Sequence, residues 1–169
     1  MLAAGEGTRM KSGTAKVLHT IAGRTIIGHV LEALKPLSPS ELRVVVGASR
    51  EAVESHVKEI SPNAITVFQS ERNGTGHAVQ LALAGGKSSG NVLVVAGDTP
   101  LLNPLTLAEF LEAHIELGNE ASVMTASLPD PSGYGRIIRD ETGSIARIVE
   151  ERDRSEERRV GKECLRLCR

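Results

Sequence analysis

Along this chain, short aliphatic runs repeatedly give way to stretches in which apolar residues recur every three or four positions. The first pattern suits buried strands and the second amphipathic helices. Their alternation predicts βαβ units and a mostly parallel sheet. Residues 1–4 read as the tail of a first strand. Ile26, Ile27, Val30, Leu31 and Leu34 share one helical face, and Pro36 stops that helix. Residues 42–46 form the next strand, after which Ser49 stands at the N-cap of a helix turning Val53, Val57 and Ile60 inward. A third strand covers 65–68, then a loop over 72–76 leads to a helix over 77–83. The most hydrophobic strand, 91–96, ends at Gly97-Asp98. Asn103 and Pro104 open a helix that reaches about Leu117, with Gly118 just beyond it. Residues 121–128 read as a strand, and 136–150 as a hairpin turning at Asp140-Glu141-Thr142-Gly143. No internal repeat interrupts the series.

Both ends depart from this pattern. A core strand usually runs about five or six residues, so the few that precede Gly5 predict a first strand cut short. After Asp153, residues 154–169 hold six basic and three acidic side chains with little apolar period. This divides the chain into an incomplete domain over 1–153 and a tail over 154–169 that reads as non-native or disordered; the plainer reading is a frayed, charged helix.

Composition narrows the partners. Aromatics make up 2% of the 169 residues and Trp is absent, so Val, Ile, Leu and Ala must fill the core. A net charge of −1 supplies no field for nucleic acid or an anionic membrane. No apolar run approaches the roughly 18 residues of a membrane span, and Met1-Leu2-Ala3-Ala4-Gly5 has no basic region of a signal peptide. A cytoplasmic protein is expected. Cys164 and Cys168 would share one helical face, but zinc needs about four ligands and nothing nearby supplies the rest.

Four motifs can carry chemistry. In Leu2-Ala3-Ala4-Gly5-Glu6-Gly7-Thr8-Arg9-Met10 a strand runs into a glycine turn, and Lys16 follows shortly after. Glycine permits φ > 0 and close approach of a ligand, and successive N–H groups in such a turn form an anion nest. Arg9 offers a planar fork to phosphate oxygens and Lys16 a mobile point charge. Other glycine-loop patterns fail on spacing: Met10 stands where a dinucleotide fingerprint needs its third glycine, and Leu81 where a P-loop ending in Gly86-Lys87-Ser88 needs its first. The second motif is the run 92–96 ending at Asp98, a carboxylate at the end of a central strand, suited to a magnesium ion beside phosphates or simply to capping the next turn. The third pairs Gln69, whose amide matches a base edge, with the helix start Gly74-Thr75-Gly76-His77. The fourth is Gly133-Tyr134-Gly135-Arg136 with Glu150, a turn and a carboxylate able to meet sugar hydroxyls or merely to close a hairpin.

Taken in this order, the stretches LAAGEGTRM, AKVLH, GTGHA, GDTPLL, GYGRI and IVEERD resemble the sugar-1-phosphate nucleotidyltransferases, and among them the uridylyltransferase domain of the bifunctional bacterial N-acetylglucosamine-1-phosphate uridylyltransferases. That resemblance implies a Rossmann-like three-layer αβα fold, truncated here at both ends. It implies transfer of the uridylyl group of UTP to N-acetylglucosamine 1-phosphate with Mg²⁺, yielding UDP-N-acetylglucosamine for the cell envelope and releasing pyrophosphate. Leu2, Ala3, Ala4, Gly5, Gln69, Gly74 and Thr75 would hold the uridine nucleotide, Arg9 and Lys16 the phosphates, Asp98 the metal, and Gly135 and Glu150 the amino sugar. Full-length members would be homotrimers. A transferase for another sugar phosphate, or an inert nucleotide-binding fragment, is the alternative.

Overall fold

Three consecutive valines set the architecture. Val44, Val45 and Val46 are all completely buried. Neighbouring strand residues point to opposite faces, so both faces of their strand must be covered. The computed structural model describes residues 1–5, 7, 10, 12–71, 73–86 and 89–149, and the backbone of 163–164. It forms two units, Met1–Ala108 and Glu109–Arg169.

The first unit contains β1 (Leu2–Ala3), β2 (Thr20–Ile21), β3 (Arg24–Thr25), α1 (Ile26–Leu34), β4 (Arg43–Val46), α2 (Arg50–Ile60), β5 (Ile65–Phe68) and α3 (Gly74–Ala84). The boundary between the units falls within α4 (Pro104–Glu116). The three-stranded sheet of the first unit is parallel throughout, in the order β1-β4-β5. On the other side of β1, Leu2 bridges to Ala96, with Leu2 N donating to Val95 O and Gly97 N to Leu2 O, both at 2.8 Å. The expected strand over 91–96 therefore pairs at a single bridge. Its partner β1 is two residues long, and a ladder extends no further than the shorter strand.

The helices follow from local signals. The Thr25 hydroxyl caps α1 by accepting from Gly28 N at 3.1 Å, and the helix buries Ile27, Val30, Leu31 and Leu34 before Pro36. α2 buries Val53 and Val57, but Ser49, although at the N-cap, makes no side-chain capping bond. α2 and α3 both pack on β4. α3 begins at Gly74, earlier than the expected His77. Gly74 has φ +87°, a value cheap only for glycine, which lets the chain turn directly into the helix. The β2–β3 hairpin was not expected; positive φ at both Ala22 and Gly23 gives the turn that joins its strands.

The second unit holds an antiparallel sheet in the order β6-β9-β7-β8, made of β6 (Ala126–Ser127), β7 (Arg136–Arg139), β8 (Ile145–Val149) and β9 (Glu163–Cys164). The strand expected over 121–128 shortens to β6. The expected hairpin is present: Asp140 Oδ1 accepts from the Thr142 hydroxyl at 2.6 Å and from Ser144 N at 3.0 Å. These bonds, the Thr142 hydroxyl first, hold the Asp140 carboxyl below its usual pKa. β9 lies where the sequence showed no strand, and it puts Cys164 on a strand where a helix was read. Strand pairing is made by backbone groups, so a charged stretch without apolar period can still supply it. Among the described residues no helix is long and apolar enough to cross a membrane.

The Met1 ammonium donates to Arg43 O at 2.7 Å, and burial pushes its pKa from 8.0 to about 6. The folded state thus disfavours a proton that the unfolded chain still binds between these values. The penalty is full below pH 6 and gone above pH 8, so stability rises with pH across that window. With the amine free, the gain from this group is expected to be about 2 kcal/mol. Urea midpoints of the free-amine and Nα-acetylated proteins, compared from pH 6 to 8, isolate it; parallel pH slopes would refute it.

Candidate active site

In an open parallel sheet, ligands gather at the carboxyl ends of the strands, where neighbouring connections diverge. Here that edge carries Ala4 and Gly5 after β1, Gly47 after β4, Gln69 after β5, and Gly97-Asp98 after the bridge at Ala96. A shallow cleft, open to solvent, lies beside the ends of β1 and β4. Ala3, Ala4, Gly5, Ala15, Gly47, Ala48, Ser49 and Val53 line it. So small a set of side chains leaves the backbone itself as the floor.

Three glycines make this edge possible in different ways. A Cβ on Gly47 would lie 2.5 Å from the Ala4 carbonyl oxygen, a backbone atom that has nowhere to go. Gly7, with φ +61°, is the left-handed residue of the first turn, and a Cβ there would lie 2.5 Å from Lys16 Cβ. Its absence lets the Lys16 stem cross the turn. Gly5 is the opposite case: a Cβ would meet nothing within 4 Å. The fold does not need a glycine at that position, but an arriving ligand can use the space.

The cation and the carboxylate of the sequence motifs meet. Lys16 Nζ lies 2.6 Å from Asp98 Oδ2, with the side chains 36% and 41% exposed. A 3-10 turn over Lys16–Leu18 presents the lysine, and the aliphatic run before Gly97 delivers the aspartate. In the turn that follows, the Thr99 hydroxyl donates to Ala96 O at 2.8 Å. Among the described residues no three His, Cys, Asp or Glu side chains cluster as a metal site. The donor set at Asp98 is thus a single hard carboxylate, one oxygen of which is held by Lys16. It fits a magnesium ion only if phosphate oxygens and water complete the shell, which is the usual arrangement for that ion.

The amide end lies on the far side of the sheet. Gln69 is 7% exposed, and its Nε2 donates to Gly74 O at 3.2 Å and meets His77 Nδ1 at 3.3 Å. Thr75 is exposed in the first turn of α3. Three strand spacings separate the end of β5 from the Asp98 strand, about 14 Å.

Leu2, Ala3, Ala4, Gly5, Lys16, Gln69, Gly74, Thr75 and Asp98 thus all belong to one edge of the first unit. Gly135 lies in the second unit, directly before β7. Arg9 and Glu150 lie outside the described residues. Sequence reasoning missed Gly47, Ala48 and Ser49, although three small residues directly after a buried valine run were the available signal. It also missed the contact of His77 with Gln69.

Residues 1–160 match the family of MobA-like NTP transferase domains. The chain belongs to that family. Among curated relatives, this NTP transferase domain is 52% identical over 166 residues to the bifunctional protein GlmU of Streptomyces avermitilis, covering 96% of this chain and 34% of that protein. It is 49% identical over 165 residues to the bifunctional protein GlmU of Thermobifida fusca, covering 95% of this chain and 34% of that protein. The chain spans about a third of the length of the curated relatives it matches. Its fold is similar to that of a UDP-glucose pyrophosphorylase complexed with UDP-glucose, with a TM-score of 0.71 at 18% identity, covering 98% of this chain and 72% of that one. It is also similar to HddC from Yersinia pseudotuberculosis, with a TM-score of 0.69 at 19% identity, covering 89% and 67%. The α/β fold with its parallel, Rossmann-like sheet, expected from the sequence, is thereby borne out.

Proposed function

We propose that this domain transfers the uridylyl group of UTP to N-acetylglucosamine 1-phosphate, with Mg²⁺ as the metal. The observation that carries this reading is that the 2.6 Å Lys16–Asp98 pair, a shallow cleft lined mostly by alanine and glycine, and the Gln69 amide follow the carboxyl ends of strands in one sheet. An amide suits a base, a cation suits phosphates, and a lining of mostly small residues leaves room for a ligand to approach the backbone. The similarity to bifunctional GlmU proteins supports the same choice of substrates.

In this reaction an oxygen of the sugar phosphate attacks the α-phosphorus of UTP in line. A new P–O bond forms, the bond to the bridging oxygen breaks, and pyrophosphate leaves with the electron pair. Such transfers are governed by positioning and neutralisation of charge. Lys16 meets the phosphate oxygens, releasing Asp98 as a hard ligand. Magnesium held there would supply further neutralisation of the two mutually repelling phosphates. Arg9 acts as a second cation, and Leu2 through Gly5 with Gly74 and Thr75 seat the nucleoside. Gly135 and Glu150 receive the amino sugar. All of these residues fall within 1–153, the part we take to be the working domain, with 154–169 contributing none. The same reading takes the full-length protein to be a cytoplasmic homotrimer.

Pyrophosphate release from a panel of four nucleoside triphosphates and several sugar 1-phosphates tests the proposal. UTP with N-acetylglucosamine 1-phosphate and Mg²⁺ is expected to give the fastest release. A faster rate with CTP or GTP would replace the uridylyl assignment. UTP binding without any turnover would reduce the chain to a nucleotide-binding fragment.

A further inference from the structure

We propose that His77 is a positioning residue that locks the Gln69 amide in one orientation and thereby sets a preference for uracil over cytosine. This rests on the uridine reading of the cleft. Gln69 Nε2 faces two groups at the start of α3: the Gly74 carbonyl oxygen at 3.2 Å and His77 Nδ1 at 3.3 Å. The first contact favours this orientation of the amide, because turning it over would set two carbonyl oxygens against each other, but it holds only one of the two hydrogens. The second then fixes the histidine. With an N–H pointing at it, Nδ1 must be the bare, accepting nitrogen, so the ring proton sits on Nε2.

Both hydrogens of the amide are thus engaged inside the protein. Among the described residues nothing donates to Gln69 Oε1, and that oxygen is not among the sealed, partnerless polar atoms. The residue is otherwise 7% exposed, so this acceptor is what it can offer a ligand. Uracil presents an N–H at position 3, whereas cytosine presents a bare nitrogen there and an amino group beside it. A fixed acceptor favours the first and sets lone pair against lone pair with the second. With the His77 acceptor gone, one amide hydrogen loses its partner and the orientation rests on Gly74 alone. Gln69 can then turn and offer cytosine its N–H groups.

The test compares wild-type protein with His77→Leu and His77→Asn, each checked by thermal melting. UTP and CTP are titrated calorimetrically with Mg²⁺, and KM and kcat are measured separately. His77→Leu is expected to lose about fivefold to tenfold of the UTP-over-CTP preference, in affinity and KM, with kcat nearly unchanged. His77→Asn, whose side-chain oxygen can stand near the place of Nδ1, is expected to recover most of it. An unchanged ratio in His77→Leu, or equal weakening toward both nucleotides, overturns the proposal. Should His77→Leu fail to fold, the ¹⁵N imidazole spectrum of wild-type protein decides: a protonated Nδ1 on a neutral ring overturns it, and a bare Nδ1 with the proton on Nε2 supports it. Wild-type protein that binds no uridine nucleotide would instead bring down the underlying reading, and this inference with it.

Discussion

Replacing Lys16 with alanine is expected to lower uridylyl transfer about a hundredfold, equivalent to roughly 3 kcal/mol of transition-state stabilisation. The ammonium stands 2.6 Å from Asp98, where the proposed function places the phosphates. Negative charge is what two approaching phosphates bring, and a fixed cation counters it without reorganisation. The fold should hardly register the change: an ion pair with side chains 36% and 41% exposed contributes little to stability. Pyrophosphate release at saturating UTP and thermal melting of the same sample separate the two effects. A variant turning over within about threefold of wild type would show that Lys16 lies outside the chemistry. Asp98→Asn should lose activity more steeply at low Mg²⁺ than at high Mg²⁺, since the proposed function makes this carboxylate the metal's ligand.

Gly47→Val is expected to destabilise the protein by about 3 kcal/mol or more and to lower its melting temperature by roughly 10 °C. A Cβ at this position would lie 2.5 Å from the Ala4 carbonyl oxygen, and neither backbone can yield, because Ala3 and Val46 are paired in the same ladder. UTP affinity should fall as well, since Ala4 and Gly47 both line the cleft. Gly5→Ala makes the informative contrast. Its new methyl meets no protein atom within 4 Å, so the melting temperature should stay near that of wild type while nucleotide affinity drops. Equal melting temperatures for Gly47→Val and wild type would refute the steric account.

How much of this was legible in the sequence depended on whether the signal was local. The valine run of β4, the apolar face of α1 and the Asn103-Pro104 start of α4 were read directly. In each case the residues that show the pattern also make the contacts or the cap. The Asp140–Gly143 turn was equally plain, because its side chain bonds lie within the turn itself. Lengths were read less well: 91–96 has the composition of a full strand, yet its pairing is limited by β1, on which its own residues are silent. The site divided in the same way. The residue types at Lys16, Asp98 and Gln69 suggested the chemistry proposed for them, but nothing in the sequence says that Gly47 is a glycine the fold cannot replace. That requirement comes from a carbonyl many residues away.

The central place of β1 also bears on the order in which the molecule is put together. Leu2 is flanked by Val45 on one side and Ala96 on the other, so a strand that precedes both partners in the chain lies between them. Its two ladders need partners about 40 and about 95 residues further along the chain. Contacts so distant along the chain are entropically slow to close. The cleft, lined by Ala3 from one of these strands and by Gly47 just past another, exists only once that distant pairing has closed.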